Sequence, residues 1–332
     1  MNSETSHPTS AFQSTTTDHH YRAVGIALLV TVLWSSSWVI IKFGLEEMPP
    51  LTFAGLRYII AAILLMLIVI VRRDSRHELT RVNRRQILSL AGYGLVFVTI
   101  TQAAQFVGLD LLPAISVSLL LNMTPLLVLL LGIVILREVP TYGQFGWILI
   151  GIAGVLIYFY PLDLGALQIV GVIVVLVGVI ANAFSSIIGR AINKKKELTP
   201  LLITSLSMLF GSVVMLAAAF VFETASSISP LSWIYILWLS VVNTAFAFTL
   251  WNRAMQTLRA VDITLINGTM LPQIVILSIF FLGELPTVLD WVGLVLIALS
   301  ALAVQVIQAR RENHNREPDH LSGIKDIGST AE

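Results

Sequence analysis

The chain has 332 residues, 56% of them hydrophobic and 12% charged, with a formal net charge of +1. A soluble domain carries about 25% charged residues, so this composition leaves too little interior to hide the apolar surface, and lipid is the expected solvent. Cysteine is absent, which excludes disulfides, thiolate nucleophiles and Cys-ligated metals.

Residues 1–21 are rich in Ser, Thr and His and read as a disordered cytoplasmic tail. They lack the basic n-region of a signal peptide, and the apolar run that follows is too long for one. Ten apolar segments follow, at 23–43, 51–71, 86–108, 113–136, 143–160, 166–189, 200–222, 231–252, 261–282 and 288–308. Each is near the ~20 residues that a bilayer core requires. From Arg310 the chain is polar and charged, and 310–332 is expected to be a second cytoplasmic tail.

Orientation follows from Lys and Arg. With the N-terminus in the cytoplasm, 18 of the 20 basic residues fall on cytoplasmic segments, six of them as Arg72, Arg73, Arg76, Arg81, Arg84 and Arg85. The outer loops hold only acids, such as Glu46, Glu47, Asp110, Asp163, Glu223, Glu284 and Asp290. Lys42 and Arg57 are the two exceptions, inside or at the ends of the first two segments. The arginine-rich loop reads as a topology determinant beside anionic lipid rather than a nucleic-acid patch.

The fourth segment has a relative near the C-terminus. An offset of 146 residues places Ala114 on Ala260, Leu119 on Leu265, Leu136 on Leu282, Glu138 on Glu284, Pro140 on Pro286 and Thr141 on Thr287. Both copies carry a mid-segment proline, Pro125 and Pro272, one residue out of register. The chain therefore reads as a tandem duplication, with repeats at 22–160 and 161–309. Five helices per repeat is an odd number, so the second copy enters the membrane upside down. The expected fold is an all-α integral membrane protein of ten transmembrane helices in two inverted five-helix repeats, an arrangement that underlies many alternating-access carriers.

Several motifs resemble the drug/metabolite transporter superfamily, specifically its EamA-type carriers. They are Leu33-Trp34-Ser-Ser-Ser-Trp38, Pro49-Pro50, Leu56-Arg57, Gly108-Leu109 with Leu112-Pro113-Ala114, Arg137-Glu138, Leu250-Trp251-Asn252-Arg253-Ala254 and Leu282-Gly283-Glu284. Their order, spacing and duplication carry the resemblance over about 23–308. It implies a secondary carrier of small metabolites, often amino acids or nucleobases moved outward. It also implies a cavity lined by segments one, three, four, six, eight and nine, with five and ten as braces. The second half departs from the first, with Asn182 where Trp34 aligns and Ser207 where Arg57 does.

Polar groups deep in hydrocarbon are expensive unless paired, which makes them pathway candidates. Ser118 and Asn122 share a face just before Pro125, and Thr264 and Asn267 precede Pro272. Proline frees a backbone carbonyl, and matched breaks point to a midplane site. The competing reading makes the prolines simple bends and the Asn and Thr side chains interhelical glue. Gln102, Gln105, Asn182, Asn243, Trp251 and Trp34 extend the lining, whereas Trp38 suits an interfacial belt. Arg57, two turns into its helix, favours a structural or gating role over direct substrate contact; the alternative is snorkelling to Glu46 or Glu47.

All six histidines lie outside the spans, and no Asp or Glu falls near the middle of one. This favours a uniporter or exchanger over a proton-coupled pump. With Arg57 and Lys42 the only basic candidates, the substrate is expected to be neutral, zwitterionic or amphiphilic. No cofactor, catalytic residue or metal ligand is expected. No His-Glu-x-x-His, Gly-x-Ser-x-Gly or intramembrane Asp pair supports an enzyme. An exporter of hydrophobic drugs and a channel-like or structural membrane protein are the alternatives. The expected partners are a small-molecule substrate and the lipid bilayer, and the expected location is the cytoplasmic membrane.

Overall fold

The computed structural model describes residues 9–136, 141–161, 164–224, 227–258 and 260–328. Arg137, Glu138 and Pro140 of the first repeat motif, with Asp163 and Arg259, lie outside the described residues. Among those described, all regular structure is helical. We label the main segments α1 (Thr9–Leu45), α2 (Pro50–Val71), α3 (Arg84–Leu111), α4 (Ala114–Leu121 and Thr124–Leu136) and α5 (Tyr142–Tyr158). Then come α6 (Ala166–Lys194), α7 (Pro200–Phe222), α8 (Pro230–Met255), α9 (Ala260–Gly268 and Met270–Leu282) and α10 (Val288–Gly328). A short helix, Arg73–Leu79, follows α2.

Nine stretches among the described residues are long and apolar enough to cross a membrane, and α5 is a shorter apolar helix. Their outer surface is apolar: Val71, Phe220 and Phe280 are 83%, 90% and 80% exposed. That surface suits lipid and not water. The protein is thus an all-α, multi-pass integral membrane protein. At the two ends the helices outrun the spans. α1 begins at Thr9 and α10 continues to Gly328, where composition predicts irregular tails. A span already supplies the costly nucleus, and each further residue adds one hydrogen bond.

The helices start where local chemistry tells them to. Pro50, Pro200 and Pro230 occupy first turns, where a missing N–H costs nothing. Asn83 and Gln86 form a capping box at the start of α3. Thr141 and Gln144 form one at α5, with the Thr141 N–H donating to Gln144 Oε1 at 2.9 Å. Thr287 and Asp290 do the same at α10, where the Thr287 N–H donates to Asp290 Oδ2 at 2.7 Å.

These two caps are 146 residues apart, and the spacing recurs along the chain. α3 begins at Arg84 and α8 at Pro230. A π-helical segment opens at Leu95 in α3 and at Val241 in α8. The second half of α4 spans Thr124–Leu136 and that of α9 spans Met270–Leu282. α5 starts at Tyr142 and α10 at Val288.

Packing pairs α2 with α7, α3 with α6 and α5 with α10, while α1 lies against α8 and α9. α5 and α10 approach closely at Gly154 and Gly293, where a Cβ on Gly293 would lie 2.7 Å from the Gly154 carbonyl oxygen. The core between the helices is filled by Phe53, Phe106, Leu109, Leu119, Met208 and Met215. Trp38, which the sequence assigns to an interfacial belt, is buried in this core, because the α1 face it shares with Ile41 and Leu45 packs inward.

Candidate functional site

Polar side chains gather at the breaks in α4 and α9. In α4 the break falls at Asn122 and Met123, ahead of Pro125. Pro125 cannot bond the Leu121 carbonyl, and the Thr124 hydroxyl donates to it instead at 2.7 Å. The freed carbonyl is therefore satisfied within the turn and is not open to a cavity. The Asn182 amide of α6 donates to Thr124 Oγ1 at 3.2 Å, which ties α6 to the break. Asn122 is half-buried, and its amide donates to the Ser118 carbonyl at 2.9 Å. Ser118 is fully buried and bonds back to Ile115 of its own helix.

In α9 the break at Thr269 is bound to α1 by a residue the sequence reading passed over. Gln273 Nε2 donates to Thr31 Oγ1 at 3.2 Å and to Thr269 Oγ1 at 3.0 Å. Its Oε1 accepts from the Ser35 hydroxyl at 3.0 Å. The signal was available, because Gln273 is polar, lies next to Pro272 and sits one turn past Thr269. Thr264 is half-buried and Asn267 exposed, both before the break.

α8 closes the other side of α1. Asn243, in the π segment, donates to the Leu33 carbonyl and to Ser36 Oγ, and its own Oδ1 is buried without a partner. Trp34 stands between Phe248 and Trp251, with ring centroids 5.4 and 5.1 Å away, and all three are half-buried. Gln102 and Gln105 lie on α3, both half-buried; Gln102 Oε1 accepts from the Tyr58 hydroxyl at 2.6 Å.

Arg57 does not snorkel. It is 5% exposed, and its Nε donates to Thr244 Oγ1 in the π segment of α8 at 3.1 Å. Its guanidinium carbon lies 5.1 Å from the Tyr58 ring centre and 5.9 Å from that of Phe106. Glu47, the proposed outer partner, is taken by the Ser229 and Ser232 hydroxyls at the start of α8. Those two bonds hold its carboxyl below the usual glutamate value.

One end of the bundle carries the acids. There a vestibule of about 530 Å3 is lined by Lys42, Glu46, Asp110 and Glu284, with Leu45, Leu109, Leu112 and Leu282. Glu284 is placed by Gly283, whose φ of 66° is the left-handed conformation that ends α9 and suits glycine. The turned chain lets Glu284 accept the Ala114 N–H at 2.6 Å and the Ile115 N–H at 2.9 Å, capping α4. The repeat singled out Glu284 as a motif residue but gave no sign of this bond. Glu223 makes a similar cap on α2, accepting the Leu51 and Thr52 N–H groups at 2.6 and 2.8 Å.

A family model of EamA-like transporters matches residues 22–160 and again 169–305. The chain belongs to this family. It is a membrane transporter and not an enzyme. It is 27% identical over 303 residues to a probable amino-acid metabolite efflux pump of Salmonella typhimurium, covering 86% of this chain and 95% of that one. It is 26% identical over 243 residues to the uncharacterized transporter YoaV of Bacillus subtilis, covering 70% and 78%. An S-adenosylmethionine/S-adenosylhomocysteine transporter of Chlamydia trachomatis is 26% identical over 136 residues, 41% of this chain and 40% of that one. A solved crystal structure aligns with a TM-score of 0.61 over 88% of this chain and 98% of its own, at 17% identity, a likeness of fold alone.

Proposed function

We propose that the protein is a secondary carrier that exports a small neutral, zwitterionic or amphiphilic metabolite, amino-acid- or nucleobase-like, across the cytoplasmic membrane by alternating access. In this reading ten helices cross the membrane as two inverted repeats, 22–160 and 161–309, with both termini in the cytoplasm. The observation that carries it is the constant 146-residue spacing of caps, π segments and helix breaks. Two copies of one five-helix unit, broken at matching points, supply the two exchangeable states that such a carrier needs.

The pathway runs between α1, α3, α4, α6, α8 and α9, past Trp34, Gln102, Gln105, Ser118, Asn122, Asn182, Asn243, Trp251, Thr264 and Asn267. Pro125 and Pro272 mark the breaks. The relationship to the Salmonella pump supports an amino-acid-like cargo. The half-buried aromatic group of Trp34, Phe248 and Trp251 favours an amphiphilic molecule, which keeps hydrophobic drugs as the second reading. With no acid at mid-span, uniport or exchange is favoured over proton coupling.

The test is flux from proteoliposomes loaded with amino acids, nucleobases, sugars and organic acids, with and without a proton gradient. Saturable, selective loss of one class with counterflow supports the carrier and names its cargo. Non-saturable loss of all classes refutes it in favour of a channel. Because the chain has no cysteine, single introduced cysteines probed with an impermeant reagent test the orientation of each loop.

A further inference from the structure

Arg57 is a buried cation without a counter-ion among the described residues. It lies seven residues into α2, about 10 Å below the helix start. A guanidinium offers five N–H donors. Only Nε is used, on Thr244, and among the described residues no carboxylate reaches the group. Three acids at this end are committed elsewhere, Glu47 to Ser229 and Ser232, Glu223 to Leu51 and Thr52, and Glu284 to Ala114 and Ile115, while Asp110 and Glu46 line the vestibule with Lys42.

The surroundings add donors and no acceptors of charge. Tyr58 and Phe106 present rings. Gln102, one turn before Phe106 on α3, spends its Oε1 on the Tyr58 hydroxyl, which leaves its amide N–H pair pointing away from that bond. A cluster of unspent donors around one buried positive charge is complementary to an anion. Access is short. Leu109 and Asp110, which line the vestibule, are one helical turn from Phe106.

We infer that Arg57 is the receptor for a carboxylate group of the transported molecule, and this rests on the carrier reading above. A single planar guanidinium matches a monocarboxylate in bidentate fashion, whereas a phosphate dianion needs more positive charge than the site holds. Lys42 does not supply it, since it lines the vestibule together with Glu284, Asp110 and Glu46. The cargo is thereby narrowed to metabolites with one carboxylate, amino acids among them, and away from uncharged nucleobases.

The experiment uses the full chain in proteoliposomes and nanodiscs with matched probes: phenylalanine, phenylalaninamide and phenethylamine, then leucine and isoamylamine. Counterflow is measured for the wild type, Arg57→Met and Arg57→Lys, with melting temperatures in the absence of probe. The wild type should favour each carboxylate member by about tenfold or more in apparent affinity. Arg57→Met should lose that preference yet melt no lower than the wild type, because it removes an uncompensated charge. Arg57→Lys should retain the preference with weaker affinity.

Equal exchange of acid and amine through the wild type overturns the receptor role and leaves the carrier standing. Retained preference in Arg57→Met overturns it too, as does an affinity for the acid members that is not weakened in Arg57→Lys. Movement of no probe in either direction overturns both the receptor and the amino-acid-like cargo. If Arg57→Met fails to fold, the wild-type comparison and Arg57→Lys decide.

Discussion

The Glu284 cap is the point where a small change should move the balance of conformers. Glu284 joins the end of α9 to the start of α4 through two N–H bonds at 2.6 and 2.9 Å, across the vestibule mouth. Glu284→Gln keeps the shape but turns one acceptor oxygen into an NH2 group that faces an N–H. It also removes the charge that favours a helix N-terminus. A hydrogen bond to a charged group is worth about 1.5–3 kcal/mol, and charge at a helix start about 0.3–1. Glu284 is only half-buried, so the lower end applies. A loss of about 2 kcal/mol alters the ratio of tied to untied forms roughly thirty-fold. Leu112 lines the vestibule and is 3% exposed, so Leu112→Cys in this cysteine-free chain reports on the tie. An impermeant thiol reagent should modify that cysteine at least tenfold faster when Glu284→Gln is also present. An equal rate in both backgrounds would refute the view that Glu284 holds this end shut.

Three further outcomes are expected. Asn122→Leu or Asn267→Leu should abolish counterflow while leaving membrane insertion normal, and unchanged kinetics in both would remove them from the pathway. Gly293→Ala places a methyl 2.7 Å from the Gly154 carbonyl oxygen and 2.9 Å from the Tyr158 nitrogen. Forcing α10 off α5 should cost about 1–3 kcal/mol and lower the melting temperature. The surviving protein should transport with an unchanged KM, because the proposed pathway runs between the other helices. The Ser229 and Ser232 hydroxyls hold the Glu47 carboxyl below its ordinary value, so their contribution is complete above the ordinary glutamate range. It is lost as the pH falls through the lowered value. A Ser229→Ala, Ser232→Ala double variant should therefore show a smaller fall in melting temperature between neutral and acid pH than the wild type.

The spans and the duplication were legible because lipid imposes a long-wavelength signal. A bilayer demands ~20 apolar residues per crossing, and that pattern survives single substitutions. The expected segment 288–308 lies within a helix span of Val288–Arg310, and 200–222 coincides with Pro200–Phe222. The repeat was legible at Thr141 and Thr287, which cap their helices alike, because turn chemistry constrains identity. It was hidden at the π segments, since an extra residue in a helical turn leaves no compositional mark in Leu95–Gln102 or Val241–Phe246. The partners of polar side chains were hidden too. Nothing local distinguishes Asn243, which bridges to α1, from Asn122, which bonds within its own helix. Arg57 stood out by depth alone. That none of the described acids reaches it follows from where Glu47 finds its serines and Glu223 its N–H groups, which is a property of the packed bundle.

The carboxylate caps also say which helices are held and which are free to part. At the acidic end Glu223, past the end of α7, caps α2 through Leu51 and Thr52. At the other end Glu78, past the end of α2, accepts the Thr199 N–H at 2.6 Å and its hydroxyl at 2.8 Å, at the start of α7. The α2 and α7 pair is thus clipped at both ends, each helix by an acid from the far end of the other. Neighbouring crossings repeat the theme. A Cβ on Gly94 of α3 would lie 2.1 Å from the Ser207 carbonyl oxygen of α7, while Ser240 of α8 donates to the Arg57 carbonyl of α2 at 2.9 Å. Gly94 and Ser240 are 146 residues apart. One copy therefore uses the absence of a side chain, and the other a hydrogen bond, to hold the same crossing. A pair tied at both ends cannot open at either without losing a cap. In the proposed carrier the motion that alternates access falls instead to the broken helices α4 and α9, whose described tie to one another at the acidic end is the Glu284 cap. The receptor role proposed for Arg57 fits this division, since Arg57 sits on the clipped pair and would keep its position while the walls around it exchange.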